Sequence, residues 1–147
     1  MRVEHVQAED TYDLRRRVLY GHWPEAEVHY PEDEREGAFH LGARDEGGRL
    51  VAVASWYPET SPFFPVRRAY RLRGMAVDAT RHGQGTGRLL FEAGVGELRA
   101  RDVEVLWANA RDSAVPFYRR LGMSVMGDGF VAAGGIPHHV VVLELTP

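Results

Sequence analysis

The sequence contains no cysteine, no lysine and no long hydrophobic run. The absence of cysteine excludes thiolate catalysis, disulfide frameworks and cysteine-ligated zinc. The absence of lysine excludes a Walker-type phosphate loop, which requires one. No apolar segment approaches the roughly 20 residues of a membrane-spanning helix, and the charged N-terminus does not resemble a signal peptide. We therefore expect a protein without a membrane partner, and the composition is compatible with a cytoplasmic location.

The chain has 147 residues, of which 44% are hydrophobic and 27% are charged, as in a typical globular protein. This length is close to that of one ordinary domain. A domain of this size buries roughly 70% of the surface that its unfolded chain exposes, so it needs no disulfide or structural metal to fold. No repeat or low-complexity segment divides the sequence, and we expect residues 1–147 to form a single domain.

Charge is distributed unevenly along the chain, whose net charge is −3. Residues 1–60 carry seven arginines and 13 acidic residues, whereas residues 67–101 carry eight arginines and three acidic residues. These opposite fields could hold a polyanionic ligand in the middle of the chain and a cationic one near its beginning, or they could be solvated faces without a function. No recognised nucleic-acid-binding motif accompanies the arginines, so no nucleic-acid partner is expected.

Hydrophobic periodicity predicts an α+β fold built on a mixed sheet. Helices are expected over residues 10–20 and 113–121, and a third follows the glycine-rich turn after Val77. The predicted strands cover residues 3–6, 39–43, 50–57, 70–77, 103–110, 123–131 and 139–145. The strand that ends at Val77, the helix after it and the next strand form a parallel βαβ unit.

Three glycines interrupt the predicted elements. Gly74 inside a strand indicates either a bulge or the close approach of another group. Gly94 and Gly96 weaken the central helix by about 1 kcal/mol each relative to alanine, so close packing on the sheet has to offset them. The apolar arc of this helix, which should face the sheet, consists of Leu90, Phe91, Gly94, Val95 and Leu98.

The segment His82–Arg88 alternates glycine with other residues between a strand and a helix. Backbone N–H groups at such a helix N-terminus have no partner within the helix and favour an anion. The spacing fails the G-x-G-x-x-G pattern of dinucleotide-binding loops, because Arg88 stands where the third glycine is required. We therefore predict a phosphate-binding loop that belongs to neither the NAD nor the ATP type, with a simple tight turn as the alternative.

Two groups of residues form a recognisable pattern. The first comprises residues 72–77 and 85–90, and the second comprises residues 107–111, Ala114, Phe117, Tyr118 and 121–123. Both are similar to motifs of the GNAT superfamily of N-acetyltransferases, the first to its acetyl-CoA signature. The segment Gly135–His138 resembles the ending of the ElaA-like branch. His82 and Arg111 depart from the family pattern, which usually has glutamine or arginine at the first position and often asparagine at the second.

The resemblance implies a mixed, mostly antiparallel twisted sheet of about six to seven strands, flanked by about four helices, with the parallel βαβ unit as acetyl-CoA-binding core. It implies transfer of an acetyl group from acetyl-CoA to a primary amine of a small molecule or protein by direct attack, with Tyr118 as general acid. A non-catalytic acyl-CoA-binding module is the alternative, and a homodimer is possible. The residues implied to bind acetyl-CoA are Met75, Ala76, Val77, His82, Gly83, Gln84, Gly85, Thr86, Gly87, Arg88, Asn109, Ser113 and Tyr118.

The general base is not identified by the resemblance, because the strand over residues 70–77 holds no carboxylate. We select His40 as the catalytic partner of Tyr118, since histidine titrates near neutral pH. The other candidates are His22, Glu25, Glu59 and His138. No metal site is expected, because the adjacent His138 and His139 should point to opposite sides of a strand and no third ligand stands at zinc spacing.

The acceptor amine is expected to bind between the loops at residues 20–40 and 58–68. Acidic residues crowd the first loop, which predicts a cationic acceptor that approaches through an acidic entrance. A solvated loop without a function is the alternative. The acidic residues are Glu25, Glu27, Glu32, Asp33 and Glu34.

Overall fold

A computed structural model describes residues 1–146 of the chain. The strands are β1 (Arg2–Val6), β2 (Phe39–Arg44), β3 (Leu50–Pro58), β4 (Ala69–Val77), β5 (Val105–Arg111), β6 (Ser124–Val131) and β7 (Pro137–Glu144). The helices are α1 (residues 8–19), α2 (Thr86–Ala100) and α3 (Val115–Arg120). The strands form one sheet in the order β1-β2-β3-β4-β5-β7-β6.

Neighbouring strands are antiparallel except β4 and β5, which run parallel and are connected through α2. The predicted α+β fold with a mostly antiparallel sheet and a parallel βαβ core is therefore confirmed. Every strand lies within two residues of its predicted bounds. Within residues 1–146 there are three helices where the resemblance implied about four, and short 3-10 turns occupy other connections.

The first helix, α1, is irregular. It begins as a 3-10 turn at Ala8–Thr11, continues as α-helix at Tyr12–Leu14 and ends in a π-helical turn at Arg15–Leu19. The periodicity predicts a regular helix here, and the difference centres on Arg15, whose side chain is fully buried. Hydrophobic periodicity assigns apolar residues to the inner face of a helix, so it cannot predict that an arginine is buried there.

Helix α2 covers one face of the sheet, and its predicted inner arc is buried. Gly94 lies against the fully buried Trp56, because a Cβ added at Gly94 would lie only 2.1 Å from Trp56 Cζ2. Gly96 is exposed, and a Cβ there would meet no atom within 4 Å. Only the first of these two glycines is therefore required by the packing of the helix on the sheet.

None of the helices in the described part of the chain has both the length and the apolar character needed to cross a membrane.

Candidate functional site

Strands β4 and β5 separate along their length. They pair only between Ala69–Arg71 and Val105–Trp107, so the following residues of both strands enclose a gap. Gly74, with φ of +70°, sits in a bulge of β4 where the pairing with β3 shifts by one residue. Two cavities open at this gap, and both are lined by Met75, Ala114 and Tyr118.

The first cavity lies beside the turn into α2 and has a volume of about 560 Å³. We call it the glycine-loop cavity. Arg81, Arg88 and Arg120 lie in its wall and give it a positive charge. The residues predicted to bind acetyl-CoA that line this cavity are Met75, Val77, His82, Gly83, Gly85, Thr86, Gly87, Arg88, Ser113 and Tyr118.

The turn into α2 leaves backbone N–H groups without protein partners. Among residues 1–146, no backbone or side-chain acceptor receives the N–H groups of Gly83 and of residues 85–88. Gly83 and Gly85 both have φ of +78°, a left-handed conformation that glycine adopts without strain. Free N–H groups at the positive end of a 15-residue helix form an anion-binding site.

Three of the residues predicted to bind acetyl-CoA do not line the glycine-loop cavity. Ala76 packs its side chain with Val53 in a buried cluster. The side-chain amide of Gln84 donates to the carbonyl of Thr80 at 3.1 Å. Asn109 lines the second cavity instead. Gln84 and Asn109 were assigned by motif position, which does not specify the direction of a side chain.

The second cavity lies on the other side of Tyr118 and has a volume of about 240 Å³. We call it the arginine-lined cavity, because Arg71, Arg73 and Arg111 lie in its wall. One side of the cavity is formed by residues from two segments, 19–23 and 132–136. We call these the roof segments, and they contact each other, because a Cβ added at Gly134 would lie 3.3 Å from Trp23 Cε3. Within residues 1–146 no carboxylate lines it.

Tyr118 stands where the two cavities meet. Helix α3 places it there, and its side chain is buried against Phe117, with ring centroids 5.2 Å apart. Burial raises the pKa of the Tyr118 phenol above its ordinary value of 10.0, so the hydroxyl keeps its proton at neutral pH. No protein group of residues 1–146 accepts a hydrogen bond from this hydroxyl. A proton donor is thus available to a ligand at the junction.

His40 lies in a buried network on β2, and it lines neither of the two cavities. His40 Nε2 lies 3.2 Å from the carbonyl oxygen of Asp33, which only accepts, so Nε2 carries the proton of the neutral ring. Nδ1 therefore accepts from the Ser55 hydroxyl at 2.7 Å, and the Ser55 oxygen in turn accepts from Arg15 Nη2 at 2.7 Å. Burial lowers the pKa of His40. The lone pair of this imidazole is already engaged, and the structure does not bring His40 to Tyr118.

The same network neutralises the buried Arg15. Its guanidinium makes two hydrogen bonds to the Asp33 carboxylate, at 2.8 and 2.9 Å. Burial alone would raise the pKa of Asp33, but the hydrogen bonds and charge of Arg15 hold it below its ordinary range. Arg15 and Arg73 also stack on the ring of Tyr30, at 3.9 and 3.8 Å from its centroid.

Two of the five acidic residues that were expected to form an acidic entrance pair with arginines instead. The Asp33 carboxylate forms an ion pair with the buried Arg15, and the Glu32 carboxylate lies 3.5 Å from Arg73 Nη1. Glu34 is exposed and lies 3.8 Å from His29. Glu25 and Glu27 are exposed as well. The pairing of Asp33 and Glu32 with inward-facing arginines, which a count of charges cannot show, reduces the expected acidic entrance, and the entrance itself stays a prediction.

His22 and His138 are the two proposed bases that the structure places in the arginine-lined cavity. His138 Nδ1 lies 2.8 Å from the carbonyl oxygen of Ile136. Because a carbonyl only accepts, Nδ1 carries the proton and Nε2 of the neutral ring keeps a free lone pair. Glu59 is held by Arg35 and Arg71, and Glu25 is exposed outside both cavities.

A model of the acetyltransferase (GNAT) family matches residues 8–123. The chain belongs to this family. A relative in Bacillus subtilis (strain 168), named "Uncharacterized N-acetyltransferase YitI", is 35% identical over 144 residues, which are 98% of this chain and 95% of the relative.

Solved structures show the same GNAT fold. Aminoglycoside 6'-N-acetyltransferase, crystallised in complex with coenzyme A, superposes with a TM-score of 0.74 at 15% identity, over 100% of this chain and 98% of that chain. An acyl-CoA N-acyltransferase from Pseudomonas aeruginosa superposes with a TM-score of 0.76 at 17% identity, over 96% of this chain and 97% of that chain. At these identities the likeness concerns the fold alone.

The predicted GNAT membership, acyltransferase activity and acetyl-CoA co-substrate are confirmed at the level of the family. The finer resemblance to the ElaA-like branch stays a prediction. The arginine-lined cavity was missed from the sequence. A signal for it exists in the alternation of Arg71 and Arg73, which places both side chains on one face of β4.

Proposed function

We propose that this chain transfers the acetyl group of acetyl-CoA to a primary amine of a small molecule by direct attack, as a single domain in the cytoplasm. The observation that carries the proposal is the meeting of two cavities at Tyr118. The glycine-loop cavity holds the acyl donor and the arginine-lined cavity holds the acceptor. The touching roof segments and the small volume favour a small acceptor over an extended peptide.

The backbone at residues 83–88 binds the pyrophosphate of acetyl-CoA through its free N–H groups. Arg81, Arg88 and Arg120 add positive charge around it. By the family resemblance, the pantetheine lies along β4, where Met75 follows the bulge at Gly74 and lines both cavities. A backbone N–H in this part of β4 stabilises the oxyanion that develops on the thioester carbonyl.

Attack of the amine breaks the carbon–sulfur bond, and the leaving sulfur needs a proton. Tyr118 donates it, because its buried hydroxyl is protonated and faces the junction of the cavities. The amine has to lose its own proton, and His138 Nε2 is the acceptor that we assign, directly or through a water. This replaces our sequence-based choice of His40, whose lone pair is already engaged.

A non-catalytic acyl-CoA-binding module is the rival function. It would use the glycine-loop cavity in the same way but would need neither a proton donor at the junction nor a second cavity. The test is the release of coenzyme A thiol from acetyl-CoA in the presence of a panel of primary amines. A binding module would bind acetyl-CoA without amine-dependent thiol release.

The variant Tyr118→Phe keeps the ring and removes only the proton donor. We expect single-turnover acetyl transfer to fall about 100- to 10,000-fold while coenzyme A affinity stays unchanged. Tyr70→Phe is the matched control, because it removes a hydroxyl that donates to the carbonyl of Gly37 from a residue that lines neither cavity. Equal rates for wild type and Tyr118→Phe across the pH range would remove Tyr118 from the mechanism.

The base is tested by the pair His138→Gln and His40→Gln. We expect His138→Gln to lower the transfer rate at neutral pH, where most of the amine is still charged, to matter less at high pH, where the amine has already lost its proton, and to leave the melting temperature nearly unchanged. We expect His40→Gln to lower the melting temperature, because it disturbs the network with Ser55 and Asp33. The reverse pattern would restore His40 as the base.

A further inference from the structure

The arginine-lined cavity has an unusual charge for a site that receives an amine. Three guanidinium groups lie in its wall and no carboxylate of residues 1–146 does. An amine in solution is largely cationic, so a wall of this sign repels it unless another part of the same molecule is attracted. The positive charge of the wall therefore indicates that the acceptor has a negatively charged group in addition to its amine.

Two of the three arginines lie beside a carboxylate of the protein. Arg71 Nη1 lies 3.2 Å from Glu59 Oε2, and Arg73 Nη1 lies 3.5 Å from Glu32 Oε2. Both also lie over aromatic rings, Arg71 over Trp107 and Arg73 over Tyr30. Arg71 shares Glu59 with Arg35, so its charge is balanced in part, and Arg73 has Glu32 as its own carboxylate.

Arg111 differs from these two. No carboxylate of the described residues forms an ion pair with it. Its Nη2 donates to the carbonyl of Leu19, while its other nitrogens have no protein acceptor and are not sealed from solvent. The side chain is half-buried, and its guanidinium carbon lies 5.9 Å from the centroid of the Tyr20 ring. The fork of a guanidinium with free N–H groups matches a carboxylate or a phosphate.

We infer that the acceptor is a small amine that also carries a carboxylate or phosphate group, and that Arg111 binds this anionic group in the arginine-lined cavity. The inference deepens the proposed function and rests on it for the identity of the reacting amine. The anion neutralises Arg111, and the amine of the same molecule is left to face Tyr118 and His138. The cationic acceptor expected from the acidic loop is replaced by an acceptor with charges of both signs.

The test compares matched pairs of amines. Each pair consists of an amino acid and the amine obtained from it by decarboxylation, and an aminoalkyl phosphate beside its aminoalcohol forms the second arm. We expect kcat/KM to be about 10- to 100-fold higher for the anionic member, since a charge-assisted hydrogen-bonded pair contributes differences of this size. The arm with the larger preference identifies carboxylate or phosphate as the natural group.

The variant Arg111→Gln should remove the preference. We expect kcat/KM for the anionic amine to fall about 10- to 100-fold, mostly through KM, with little change for its neutral partner. Arg111→Lys keeps the charge without the planar fork and should retain part of the preference. Arg119→Gln is the control, because Arg119 is exposed on α3 and lines neither cavity. Unchanged coenzyme A affinity in Arg111→Gln shows that the variant is folded.

Failure of the inference and failure of the proposed function give different results. If amines are acetylated but the members of each pair react equally, or if Arg111→Gln slows both alike, the inference is wrong and the acetyltransferase function stands. Calorimetric binding of the same pairs to the coenzyme A complex gives a readout without turnover. Selective binding of the anionic members that Arg111→Gln abolishes supports the inference even if no amine is acetylated, and binding without selectivity overturns it.

Discussion

Gly94 and Gly96 lie two residues apart on α2, and we expect an alanine at each position to change stability in opposite directions. Alanine is favoured over glycine in a helix interior by about 1 kcal/mol, whichever face it occupies. Gly96 is exposed, with no atom within 4 Å of an added Cβ. Gly96→Ala should therefore raise the free energy of unfolding by about 1 kcal/mol.

At Gly94 the same methyl group meets the indole of Trp56. The added Cβ would lie 2.1 Å from Trp56 Cζ2, whereas ordinary contact begins near 3.4 Å. The ring would have to move by more than about 1 Å, although it is fully buried and stacked on Phe39 with centroids 5.9 Å apart. Overpacking of this kind costs about 1–3 kcal/mol or more, and the helix preference offsets about 1 kcal/mol of it.

We thus expect Gly94→Ala to lower the free energy of unfolding by about 2 kcal/mol, which is the upper end of the overpacking cost less the helix preference of alanine. For a chain of this size 1 kcal/mol corresponds to about 2–4 °C in Tm. Urea unfolding followed by circular dichroism gives both free energies, and thermal unfolding gives both shifts. If the two variants are equally stable, the close contact between α2 and Trp56 is refuted and the helix lies further from the sheet.

Three other predictions concern the loop, the buried ion pair and the acid. Gly85 and Gly48 both have a left-handed backbone conformation, and an added Cβ would meet no atom within 4 Å at either position. Alanine disfavours this conformation, so we expect Gly85→Ala and Gly48→Ala each to lower the free energy of unfolding by about 1–2 kcal/mol. Only Gly85→Ala should also weaken coenzyme A binding, as measured by calorimetry. Because the pKa of Asp33 is lowered when folded, its stabilising contribution is complete above the ordinary value of 3.8 and is lost as pH falls below it. Asp33→Asn should flatten this acid loss in unfolding experiments and destabilise the protein by about 3–5 kcal/mol, unlike the exposed Asp128→Asn. Since burial raises the pKa of Tyr118 above 10.0, transfer rates should show no Tyr118-dependent decline up to about pH 10, and a decline below that pH that vanishes in Tyr118→Phe contradicts its buried placement.

Much of the fold could be predicted from periodicity and glycine placement. The strands alternate or are continuously apolar, and the bulge at Gly74 and the inner arc of α2 both follow from local pattern. The glycine-rich turn could be placed because its position between a strand and a helix already specifies free N–H groups. These features depend on neighbours in sequence, which one chain displays directly.

The parts that could not be predicted depend on partners distant in sequence. His40 looked like a free base, and only the fold shows that Ser55, 15 residues away, uses its lone pair. Asp33 looked like a surface charge until Arg15 was found buried beside it. A count of charges gives their sum along the chain, but pairing between them is decided by tertiary contacts.

The gap between β4 and β5 also divides the molecule mechanically. In the described residues, strand pairing joins β1 to β4 with β5 to β7 at three residue pairs, and a shared hydrophobic core packs across the joint. The glycine-loop cavity is lined by residues from both sides of it. A ligand in that cavity would contact both sets of strands, and its binding free energy would therefore stabilise their association. Strand pairing is sparsest beside the site that we propose for acetyl transfer, so we expect ligand binding there to stabilise the joint between β4 and β5.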